Sequence, residues 1–337
     1  MRKGPGVVAA ALACVLVAAC TTPATTPAIR PAITSAIQPS IQPAIAPSLT
    51  PAIQPLLTPS LTLAPPIGAS EPAAERVALL ARERVVPRSE AQRWDAAPIV
   101  ADDAATLVQQ LVTAERAVRD AAVTGDELAY MGHLQQLVYR RLIERPELRD
   151  PVFAAIPQDL RAAADRTFAA GAALWLFGPV RVTTLPAWRI VQPAPSDELL
   201  RYYREAEAQF GVPWYYLAAI NLVETRMGRI RGDSYAGAQG PMQFMPATWA
   251  AYGQEDVTDA HDAILAAGRY LRAAGAPAKM ERAIWAYNHD DDYVHAIKRY
   301  AEVMRADPAA YRGYCEWQVY FQTANGTVLL PAGYPKT

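Results

Sequence analysis

The spacing of apolar positions changes several times along the chain, and each change marks a different kind of segment. Val7 to Val17 form one apolar run behind Arg2 and Lys3 and end in Ala18 and Ala19 before Cys20. That order predicts an export signal over 1–19, well short of the roughly 20 apolar residues that span a bilayer as a helix. From Pro23 onward the period is four: Ile29, Ile33, Ile37, Ile41, Ile45, Leu49 and Ile53 recur in step with Pro23, Pro27, Pro31, Pro39, Pro43, Pro47, Pro51, Pro55 and Pro59. Proline at that density removes backbone donors and holds each preceding residue extended, so 20–69 reads as a disordered, polyproline-like tether.

Helical spacing begins after the prolines. Residues 70–185 are rich in Ala, Leu, Arg and Glu, with Leu107, Leu111, Ala114 and Val118 on one stripe, and predict a helical accessory region. Asp102 or Asp103 is expected to cap one helix, Thr124-Gly125-Asp126 to break it and start the next, and Pro146 and Pro151 to punctuate the remainder of the region. Pro186, Pro193 and Pro195 then mark a connection around Trp188. Ser196 opens a helix through Leu199, Leu200, Tyr203 and Ala206 to Gly211; Pro213 starts another through Trp214, Leu217, Ile220, Val223 and Glu224, with Gly228 as its expected C-cap. Thr258 or Asp259 caps a helix that stops at Gly275, and Tyr293, Val294, Ile297, Tyr300, Ala301 and Met304 mark one ending before Pro308. The expected class is all-α, with a last domain over 186–312 and an extension over 313–337.

Composition narrows the chemistry. With 337 residues, 52% hydrophobic and 19% charged, the chain has material for two ordinary domains. A formal net charge of −1, without Lys/Arg clusters interleaved with aromatics, argues against a nucleic-acid partner. Cys14 and Cys20 fall within the first twenty residues, so with Cys315 no disulfide framework or cysteine metal site can be built. His133, His261, His289 and His295 show no ligand spacing. Neither metal nor other cofactor is expected, and the protein is expected to be a monomer.

Glu224 stands in the last helical turn beside Ile220 and Met227, at the negative end of the helix dipole. Both surroundings disfavour a carboxylate, so its acid form should persist to higher pH than a free Glu, as a general acid near neutrality requires. Downstream stand Gly237-Ala238-Gln239-Gly240-Pro241-Met242-Gln243-Phe244-Met245-Pro246 and, later, Ala286-Tyr287-Asn288.

These motifs, in this order over roughly 196–310, resemble the catalytic domain of the soluble lytic transglycosylase (SLT) superfamily, whose fold is goose-type lysozyme-like. The Val-Glu-Thr-Arg-Met-Gly and Trp-Ala-Tyr-Asn-His wording is similar to that of actinobacterial lipoprotein-type murein transglycosylases. Thr225 replaces the family's usual Ser, and Pro241 its Leu. The resemblance implies Glu224 as single acid/base, with Ser234, Met242, Gln243, Tyr287 and Asn288 lining a cleft for peptidoglycan glycan strands. It further implies cleavage between N-acetylmuramic acid and N-acetylglucosamine, closing a 1,6-anhydro sugar without consuming water. Val17-Ala18-Ala19-Cys20 resembles a bacterial lipobox, which implies Cys20 as the lipidated first residue of an exported, membrane-anchored envelope protein. Two alternatives stay open: a muramidase using a second carboxylate, Asp233 or one of Asp290, Asp291 and Asp292, and a wall-binding lipoprotein without catalysis.

Overall fold

The computed structural model describes residues 97–175 and 183–335. The signal with Cys14 and Cys20, the proline tether and the start of the accessory region lie outside the described residues. Helix dominates, in keeping with the all-α, lysozyme-like expectation.

The first block is α1 (Ala104–Arg119), α2 (Gly125–Glu144), a 3-10 turn (Pro146–Leu148), α3 (Arg149–Ala155) and α4 (Gln158–Trp175). Asp103 is the cap of α1, its carboxylate accepting from Thr106 N at 2.9 Å. Thr124 occupies the N-cap of α2 without a side-chain bond. Pro146 opens the 3-10 turn, whereas Pro151 lies inside the first turn of α3, where proline is tolerated. Glu115 is buried in this block and is compensated by Arg119, by Tyr139 and by Gln135 Nε2 at 3.1 Å. A buried charge so surrounded is structural rather than free for chemistry.

The second block holds α5 (Ser196–Phe210), α6 (Trp214–Thr225), α7 (Pro246–Tyr252), α8 (Ala260–Ala274), α9 (Met280–Tyr287), α10 (Asp291–Ala306) and α11 (Ala310–Cys315). Every residue of α6 from Leu217 to Thr225 is buried, the mark of a helix enclosed on all sides. Helix α5 ends at Gly211 with φ 69° and α8 at Gly275 with φ 116°, as glycine C-caps allow. Asp259, not Thr258, caps α8.

One boundary differs from its expected place. Helix α6 stops at Thr225, and its left-handed C-cap is Arg226, followed by a second left-handed residue, Met227. Gly228 lies two residues beyond, with φ 83°. Apolar periodicity continues through Met227 because that side chain is still buried, so the pattern alone cannot show that the backbone has left the helix.

Two short antiparallel pairs complete the chain. β1 (Arg189–Ile190) pairs with β2 (Ile230–Arg231), tying the proline-flanked connection to the segment after α6, and β3 (Val319–Thr323) pairs with β4 (Gly326–Leu330). Trp188, Ile190, Ile230, Val319 and Leu330 form a small apolar cluster there. The main core runs through both helical blocks. α4 lies along α10, and α2 meets α11. The blocks are also stitched by hydrogen bonds from Trp317 Nε1 to Gln135 Oε1 (3.0 Å) and between Gln136 and the Gln318 backbone (2.8 and 2.9 Å). No helix among the described residues is long and apolar enough to cross a membrane.

Candidate active site

Glu224 occupies the penultimate position of α6 and is 3% exposed. Its Oε1 accepts one hydrogen bond, from the Tyr293 hydroxyl of α10 at 2.7 Å. Burial is the dominant influence and pushes the carboxyl up to about 8, while the Tyr293 bond pulls it down. Desolvation therefore outweighs the one donor, and the acid form prevails at neutral pH. Tyr287 lies within electrostatic reach of Glu224, and burial, then the Glu224 charge, hold its phenol well above the ordinary value.

The end of α6 is locked to the loop between β2 and α7. The Thr225 hydroxyl donates to the Pro241 carbonyl at 2.6 Å and accepts from Gly228 N at 3.0 Å. Asn221, one turn earlier, donates to Tyr203 at 2.8 Å and carries its Oδ1 3.2 Å from the same Thr225 hydroxyl. The Tyr287 hydroxyl donates to the adjacent Met242 carbonyl at 2.6 Å. Two hydroxyls from two helices thus clamp successive carbonyls of one loop strand.

That loop is shaped by a turn and a bridge. Ser234 Oγ accepts from Ala238 N at 2.8 Å, and Gln239 and Phe244 exchange backbone bonds at 2.8 Å. Between them Gly240 has φ 73°, and a Cβ there would overlap the Val257 carbonyl. Gln243 is itself left-handed at φ 52°, its amide Nε2 bound to Gly240 O at 2.9 Å.

The expected cleft residues fall into distinct positions. Met242 is wholly buried and meets Tyr287 through its carbonyl; Tyr287 closes α9 and Asn288 is its C-cap. Ser234 is buried, and its hydroxyl serves its own turn. Three buried polar atoms lack any partner here: Gln243 Oε1, Asn288 Oδ1 and Asn288 Nδ2. Buried amides are nearly always satisfied, so these three atoms leave one acceptor and a complete carboxamide without a protein partner.

Tyr293, whose place in the chain indicates only a core position, is the partner of the acid. It lies 69 positions from Glu224, on a stripe of buried residues whose spacing is that of any packed helix, so no local signal separates it. Of the acidic alternatives, Asp290 accepts from Tyr293 N at 2.9 Å as the cap of α10, and Asp233 is exposed, with Gln239 Nε2 at 3.4 Å from its Oδ2. Asp259, His261 and Asp262 place ligand atoms within 4.8 Å of one another. There, Asp259 serves the N-cap and His261 faces Glu205 at 3.0 Å.

Residues 201–304, which contain Glu224, both clamping hydroxyls and Tyr293, match the family model described as the transglycosylase SLT domain. This part of the chain is an SLT domain. Over 153 residues, or 43% of its length, the chain is 26% identical to the membrane-bound lytic murein transglycosylase F of Thiobacillus denitrificans, and it spans 32% of that relative. No solved structure matches significantly. Within the SLT domain the acid sits on the enclosed helix α6, and its phenol partner reaches across from α10.

Proposed function

We propose that the protein is a peptidoglycan lytic transglycosylase in which Glu224 is the sole acid/base. The single observation that carries this reading is a buried carboxyl, held neutral to about 8, inside an SLT domain. In its acid form Glu224 gives its proton to the oxygen linking N-acetylmuramic acid to N-acetylglucosamine, and that bond breaks. The sugar cation is stabilised by the substrate's own N-acetyl group. The resulting carboxylate then takes the proton of the muramic C6 hydroxyl, whose oxygen closes onto C1 to form the 1,6-anhydro end, and the acid is restored. No water is consumed and no metal or other cofactor enters.

The unpartnered groups of Gln243 and Asn288 suit the hydroxyls and amide of a sugar, with Tyr287 and Met242 beside them and Ser234 shaping the loop. Employment of the Asp290 carboxylate as a helix cap takes one of the four candidate second carboxylates away from a paired hydrolysis. Residues 186–312 form the catalytic domain in this reading, with 70–185 as a helical accessory region and 313–337 as an extension. Lipidation of Cys20 and the tether over 20–69 hold the enzyme at a membrane and give it reach to the wall. The test is digestion of purified peptidoglycan in ¹⁸O-labelled water, followed by mass spectrometry. Anhydromuramic ends without label are expected; labelled reducing ends would assign a hydrolase.

A further inference from the structure

Arg226 is a buried cation that the reaction does not use. It is 7% exposed, and among the described residues no carboxylate forms an ion pair with it. Its Nη1 donates to the Leu222 carbonyl at 2.7 Å, while its Nε has no partner. Burial pulls the guanidinium down to about 10. A cation withdrawn from water without a counter-charge is costly, so its retention calls for an anion or for trapped water.

The side chain lines a cavity of about 40 Å³ whose wall also includes Gln136, Arg140, Thr167, Trp175 and Tyr320. At about 10–15 Å³ for each water, that space takes roughly three waters or one compact anionic group. A wider basin of about 570 Å³ shares Arg140, Trp175 and Tyr320 with it and continues over Leu137, Arg141, Glu144 and Gln322. Arg140 is held over Trp175 at 5.2 Å and over Tyr320 at 4.6 Å, with Glu144 3.6 Å away as its ion-pair partner. One guanidinium therefore stands at the mouth on an aromatic seat, and a second stands inside with a free N–H.

We propose that basin and cavity form one binding site for a ligand ending in a carboxylate, seated between Arg226 and Arg140, with its remainder over Trp175 and Tyr320. A guanidinium offers paired donors in the plane of a carboxylate, and aromatic faces accept the apolar stem behind it. The basin is large enough for a short peptide entering by its C-terminus, and the inner cavity alone suits a small free acid. Glu224 lines neither the cavity nor the basin, and the proposal does not depend on the glycan-cleaving reading.

Calorimetry of the full chain at fixed ionic strength tests it, with acetyl-alanyl-alanine, its C-terminal amide, acetate and inorganic phosphate as probes. Saturable binding of the dipeptide acid is expected, weakened at least ~10-fold by amidation and by Arg140→Met. Arg226→Met should abolish it; because that variant also alters the end of α6, the mouth variant keeps the test readable if it misfolds. Acetate binding as tightly as the dipeptide assigns the site to a small acid rather than a peptide end. Equal binding of acid and amide, binding unchanged by Arg140→Met, preference for phosphate, or no saturable binding of either carboxylate would overturn the proposal.

Discussion

Above the ordinary carboxyl range an unfolded chain releases the Glu224 proton, whereas the folded chain keeps it until about 8. Because the folded value is raised, the carboxyl costs nothing at pH 4 and destabilises progressively as pH rises towards 8, by on the order of 3 kcal/mol at pH 7. Glu224→Gln removes that charge-burial cost, so its melting temperature should exceed wild type at pH 7–8 and converge with it near pH 4; calorimetry at both values checks this. Tyr293 acts in the opposite sense, since its hydrogen bond favours the ionised form. Tyr293→Phe should shift the alkaline limb of kcat/KM to higher pH, by up to about one unit, and cost about 1 kcal/mol of stability. An unchanged limb would mean that this bond does not tune the acid. Position in the last turn and apolar neighbours make the raised pKa of Glu224 legible from the chain alone. Tyr293 is not, because a hydroxyl facing a carboxyl and a ring facing the core leave the same residue on the same helical stripe.

At the scale of elements, side-chain and glycine caps read well. Asp103, Asp259, Gly211 and Gly275 stand where local chemistry places them. The end of α6 does not, because the backbone turns left-handed at Arg226 and Met227, ahead of the nearby glycine, while Thr225 is bound to Pro241 O. The β3/β4 hairpin carries a signal of its own, Asn325-Gly326 between Val, Tyr, Phe and Thr on one side and Thr, Val and Leu on the other. The loop bearing Met242 and Gln243 depends on Gly240, whose missing side chain lets the Val257 carbonyl approach. Gly240→Ala meets both a strained φ and rigid backbone, and should lose about 2 kcal/mol or more along with most turnover. Chemical denaturation read beside activity checks this; a variant of wild-type stability and rate would show that the loop has another arrangement.

Across the whole molecule, the accessory helices are built into the same core as the SLT domain. α4 packs along α10, the helix that carries Tyr293, and α2 approaches α11 so closely that a Cβ at Gly132 would stand 2.5 Å from Glu316 Cβ and 2.9 Å from the Gly313 carbonyl. Gly132→Val should therefore lower the melting temperature of both blocks in a single calorimetric transition; two separated transitions would show that they fold independently. The helical class and the order of the motifs could be read before the structure, whereas this shared core could not. Periodicity shows that a face is buried without showing what buries it.

In the proposed reaction one carboxyl, Glu224, performs the cleavage. Its most direct test is the rate of glycan cleavage on purified peptidoglycan by wild type and by Glu224→Gln, with folding of the variant verified by circular dichroism. A folded variant with cleavage reduced by ~10³-fold or more is expected, in the range that a lost general acid commands. Cleavage within tenfold of wild type would contradict that claim and place the chemistry on another group.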